Sequence, residues 1–150
     1  MAVTASGLFV PSWLAKLNAT AAPWTLVSAN NKLALFSNSI TPNFSTDTAY
    51  GAAPYNANEV TGTNWASGGV ALAGQTLTES PAGSLKYTAN NISVATVTFT
   101  GARCGLIYDS VAATKWAIAL VDFTSDYSPV AGTFAINWNA AGIIVQDITP

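Results

Sequence analysis

The chain has 150 residues, of which 50% are hydrophobic and only 8% charged, with a net charge of −2 and no histidine. Histidine is the usual acid/base group near neutrality and the commonest metal ligand, so its absence removes most ready catalytic designs. The five basic residues, Lys16, Lys32, Lys86, Arg103 and Lys115, are scattered and make no stripe able to displace counterions from nucleic acid.

One domain is the default at this length, enough to bury about 68–70% of the unfolded surface. A soluble domain carries about 25% charged residues, so the surface here must consist largely of amide, hydroxyl and apolar groups. Such a surface is cheap to desolvate, and other subunits are expected to cover part of it.

Residues 1–30 read as an arm or short helix ahead of a β domain over 31–150. Met1 to Gly7 carries no positive charge, and Pro11 and Lys16 cut the apolar stretch that follows, which argues against a secretory signal. No apolar run reaches the roughly 20 residues of a membrane helix. Pro11 to Leu17 places proline in a first helical turn, with Trp13, Leu14 and Leu17 as anchors. Too short to be stable alone, this segment and Trp24 are expected to pack on a neighbouring subunit.

From Lys32 the pattern is β. Lys32 to Ser37 is a compact apolar run. Residues 38–58 hold few aliphatics and read as one long loop with room for a turn of helix, and loops of about 20 residues tend to be functional or to cover a partner. Strands are expected over 69–74, 75–80, 85–88, 92–100, 102–108, 116–123, 132–138 and 143–148, with turns at Pro81-Ala82-Gly83 and Asn90-Asn91. Val97 and Phe99 alternate with Thr96, Thr98 and Thr100, the period of a half-buried strand. Short strands with Gly, Pro, Asn and Asp turns give the fold class: all-β, an antiparallel β-sandwich of jelly-roll type with an N-terminal arm or short helix.

No constellation for catalysis, metal or cofactor stands out. Asp109, Asp122 and Asp126 are candidates for a carboxylate pair, but aspartates at strand ends more often bond their own backbone. Asp122 to Asp126 is a poor imitation of a calcium loop. Cys104, the sole cysteine, has no disulfide partner and reads as a small buried hydrophobe. Tyr50, Tyr55 and Trp65 lie outside the clearest strands. Such rings anchor interfaces, stack on sugars, or cap the ends of a sandwich, and the low charge favours protein interfaces.

Five blocks in order carry a resemblance to a known family: Lys32 to Phe36 with Thr41 to Tyr50, Asn58 to Gly69, Ala102 to Asp109, Ala119 to Phe123, and Gly132 to Trp138. Together they resemble a set of tailed-phage (siphophage) virion proteins over residues 31–148. The resemblance implies a minor capsid or head-decoration protein that stabilises the head shell, made in the host cytoplasm without a signal peptide. Its partners would be the major capsid protein and copies of itself, in a symmetric oligomer such as a trimer, with no nucleic acid and no membrane. A tail or connector component is the alternative. A surface carbohydrate-binding module using Tyr55 and Trp65 is the alternative of another class.

Overall fold

A computed structural model of the chain describes residues 2–18, 24–80 and 83–148. Along the chain, β1 (Gly7–Leu8), α1 (Val10–Leu17) and β2 (Asn31–Ser37) precede β3 (Val70–Ala71), β4 (Thr76–Glu79) and β5 (Ser84–Thr88). Next come β6 (Ile92–Val97), β7 (Ala102–Asp109), β8 (Ala117–Tyr127), β9 (Gly132–Ile136) and β10 (Ile144–Asp147). The class is the one the strand pattern predicted, an all-β body of antiparallel sheets with one short helix. Of the expected turns, Pro81 and Ala82 fall outside the described residues.

The central sheet runs β1-β8-β7-β2-β3, and two smaller sheets, β10-β5-β4 and β6-β9, stand apart from it. Alternation along β2 sends Leu33 and Leu35 to one face and Ala34 and Phe36 to the other. On the first face, Leu33, Leu35 and Ile107 meet Tyr87, Ile144, Val97 and Phe134 from the two smaller sheets. That contact is the sandwich. On the second face, Ala34, Phe36, Leu106 and Leu120 are roofed by Val3, Phe9, Ile40 and Tyr55. A sheet covered on both faces needs apolar side chains pointing both ways, which is why β2 and β7 read as unbroken apolar runs.

The second roof corrects two expectations. Residues 38–58 form a loop of turns and bends without helix, and Ile40 and Tyr55 within it cover this chain's own sheet rather than a partner's. The N-terminal segment also packs in cis. Gly7 and Leu8 pair with Leu120 and Ala119 of β8. Phe9 and Val10 donate backbone hydrogen bonds to Ile118 and Phe44. Phe9 is buried between Phe44 and Tyr55. The described residues of the arm are therefore part of the body, although 19–23 lie outside the description.

Glycine is required where the chain turns into β3. Gly68 and Gly69 have φ of +84° and +69°, a region that L side chains rarely adopt. A Cβ on Gly69 would also overlap the Leu33 carbonyl oxygen, so this crossing onto β2 admits no side chain.

Candidate functional site

The three-stranded sheet is longer than the core beneath it. Leu77 and Ile144 lie opposite Tyr87, so the three share a face, and Leu85 and Gln146 follow two positions on. Tyr87 and Ile144 are buried, whereas Leu77 is 43% and Leu85 38% exposed. The overhang forms one wall of a cleft of about 310 Å³, and α1 and residues 24–27 form the other.

Local chemistry fixes that second wall. The Asn31 side chain, buried at the start of β2, donates to the carbonyls of Thr25 and Leu26 at 2.8 Å each. Gln75 accepts from the Ser28 N–H at 2.8 Å and donates to the Leu72 carbonyl. Trp13 donates its ring N–H to the Ile118 carbonyl at 3.1 Å and meets Trp24 edge to face at 5.4 Å. Lys16 holds its ammonium 5.8 Å from the Trp24 ring centroid, a cation–π arrangement. Among the described residues, the buried Trp24 ring N–H has no hydrogen-bond partner. Burial pushes the Tyr87 hydroxyl up to about 12, so it stays protonated at neutral pH.

Beside the cleft, α1 turns a second apolar surface outward. Val10, Leu14 and Leu17 are spaced i, i+4 and i+7 and are 55%, 56% and 79% exposed, a continuous stripe on one helical face. The opposite face is inward: Ser12 is buried and its hydroxyl reaches the Thr48 carbonyl. Sequence reasoning put Leu14 and Leu17 on one side of the helix together with Trp13, and missed Val10 on the stripe and Val27, Leu77 and Leu85 at the cleft. The i, i+4, i+7 spacing and the Thr/Leu alternation of 75–80 were signals that could have found Val10 and Leu77.

The seven expected anchors separate. Trp13, Leu14, Leu17 and Trp24 come together around α1 and the cleft, although Trp24 is buried in its wall. Tyr55 and Trp65, at 2% and 0% exposure, are interior side chains on opposite faces of the central sheet. The expectation that they present rings to a partner or to a sugar is corrected: both fill this chain's own cores. Trp65 packs edge to face on Phe99 and Phe134 at 6.0 and 5.6 Å. Tyr50 is half-buried and stacks on Tyr108 at 4.3 Å. Its hydroxyl donates to Glu59 at 2.9 Å, and the same carboxylate accepts from the Ser67 hydroxyl and the Gly68 N–H. Glu59 thus clasps the 50s loop to the turn before β3, a structural role.

The aspartates hold structure as well. Asp109 accepts from the Val111 and Ala112 N–H groups at its turn. Arg103 pairs with Asp122 at 2.9 Å and Asp126 at 3.7 Å. Its remaining arm donates to the Val3 carbonyl at 3.1 Å, tying the N-terminal segment to β7 and β8. Cys104 is buried, and desolvation first, then Asp122, raises its thiol to about 12, which keeps it from acting as a nucleophile in the folded chain. Compared with protein-family models, curated proteins and solved structures, the chain matches none of them.

Proposed function

We propose that this chain is a structural subunit of a tailed-phage particle, a capsid decoration protein that docks on the head shell and stabilises it. The observation that carries the reading is the unpartnered apolar surface made by the Val10, Leu14 and Leu17 stripe together with the cleft. In water such a stripe gains by being covered, at about 25 cal/mol per Å² of apolar area buried. A protein that binds only the assembled shell stabilises that shell by its binding free energy. Contacts built from apolar rather than ionic groups are little weakened by salt, and the described ion pairs here both belong to Arg103. The ordered blocks that resemble siphophage virion proteins support the choice of a tailed-phage particle.

The test is a Leu14→Glu/Leu17→Glu double variant added to heads lacking the protein. Both side chains are exposed, so the melting temperature of the isolated protein should hold, surface changes usually costing within about 0.5 kcal/mol. Occupancy on heads should fall more than tenfold, since an anchoring side chain contributes about 2 kcal/mol or more. Unchanged occupancy would contradict the assignment of this surface. Association with tails alone would replace the head by the tail or connector.

A further inference from the structure

We infer that the free edge of β4 pairs with the same edge of a second copy of this chain, antiparallel, about a two-fold axis passing beside Leu77. The inference goes beyond the docking reading and takes up the sequence expectation that copies of the chain associate, with a two-fold pair in place of a trimer. It names the strand that joins them.

The outward groups follow from the hairpin. The Ser80 N–H donates to the Ser84 carbonyl at 3.0 Å, and in the same register Thr78 faces Lys86 and Thr76 faces Thr88. The backbone groups of Thr76, Thr78 and Ser80 therefore point into β5, and those of Leu77 and Glu79 point away from it. β4 has no other strand beside it among the described residues. Among the described residues, nothing accepts from or donates to the backbone of Leu77 or Glu79.

Among the other edges, β1, β3, β6 and the outer part of β8 carry devices against pairing, whereas β9 and β10, like β4, have no described strand along one side. β1 and β3 are two residues long. β6 is bulged between Val94 and Val97, with Thr96 at φ +58°, and β8 bends at Thr124 with φ +64°. β4 has no bulge, no proline and no left-handed residue, and its single charge is Glu79. An edge left in that condition is a template for another strand.

The side chains choose the partner and the register. A two-fold axis normal to the sheet keeps both inner faces on one side. With the axis at Thr78, the two Glu79 carboxylates would sit diagonally at about 7–8 Å on one face, a repulsive placement. With the axis at Leu77, Leu77 meets its own copy and Glu79 faces Gln75 of the second copy. The two carboxylates are then about 13 Å apart along the strands. That register covers the half-exposed Leu77 with an identical apolar side chain and leaves no like charges opposed. The edge complements itself. The result is one continuous sheet, β10-β5-β4 followed by its copy in reverse, with both apolar clefts on the same side.

The test is the mass of the full-length protein by sedimentation, wild type against Leu77→Pro. Proline at 77 removes only a donor that faces solvent, so the ladder to β5 survives. The wild type should be dimeric at micromolar concentration and Leu77→Pro should dissociate at least tenfold more readily. Should the proline variant misfold, Leu77→Lys opposes two cations at the axis while leaving a half-exposed site that tolerates lysine. Cysteine substitutions read the register. A hydrogen-bonded antiparallel pair holds its Cα atoms about 5.5 Å apart, within disulfide range. Air oxidation should therefore link Leu77→Cys into covalent dimers and Thr78→Cys far more slowly, with buried Cys104 taking no part. A monomeric wild type, or faster linking through Thr78→Cys, overturns the inference. An oligomer that persists in both Leu77 variants also overturns it, while leaving self-association itself standing.

Discussion

Replacing Trp65 by alanine separates the structural account of the aromatic residues from an interface account. Trp65 is fully buried, closes a turn through two backbone hydrogen bonds with Gly62, and meets Phe99 and Phe134 edge to face. Among the described residues its ring N–H has no acceptor, so the loss is one of packing. Truncating a buried tryptophan costs about 3–5 kcal/mol, against a total stability on the order of 10 kcal/mol for a chain of this size. At about 2–4 °C per kcal/mol in this size range, the melting temperature should fall by roughly 10–15 °C. Thermal unfolding of the isolated variant, followed by circular dichroism, reads this directly. The reasoning is refuted if the variant melts with the wild type while its binding to particles is lost, because the ring would then belong to an interface.

Arg103→Ala should release the N-terminal segment, since one guanidinium holds Asp122, Asp126 and the Val3 carbonyl. The expected cost is about 2–4 kcal/mol, with faster proteolytic cleavage before residue 10 as the readout. Desolvation raises Asp47 above its ordinary 3.8, outweighing the lowering by its hydrogen bond from Asn43. The folded state therefore binds this proton more tightly than the unfolded state, so the stability linked to it is present below 3.8 and is lost as pH rises through the folded value. Asp47→Asn should flatten that fall in a series of melts across the acid range; an unchanged profile would remove Asp47 as its source.

What the sequence made legible was the set of strands with a clear period. Residues 32–37, 102–108 and 116–123 announced themselves as apolar runs, and β2, β7 and β8 occupy them. Pro11 marked the start of α1 to within a residue. β1 was invisible because two residues carry no period, and only the β8 edge makes them a strand. The fate of residues 38–58 was illegible for a related reason: which surface a loop covers is decided by distant side chains, here Phe36, Leu106 and Leu120.

The site was half legible. Trp13 and Leu14 were grouped as neighbours, yet consecutive helical residues point about 100° apart. The helix consequently turns Trp13 to the cleft and Leu14 to solvent. Trp65 and Tyr55 were weighed as interface rings, beside capping of the sandwich ends, because they lie outside the clearest strands. A turn can carry a ring inward as readily as outward, and the composition around it does not say which.

The most direct measurement of the proposed decoration role is a search for this protein's density on an intact tailed-phage particle. The account predicts density on the outer face of the head shell, with the Val10, Leu14 and Leu17 face of α1 against the major capsid protein. Density confined to the tail, or a head shell without it, would contradict the decoration role.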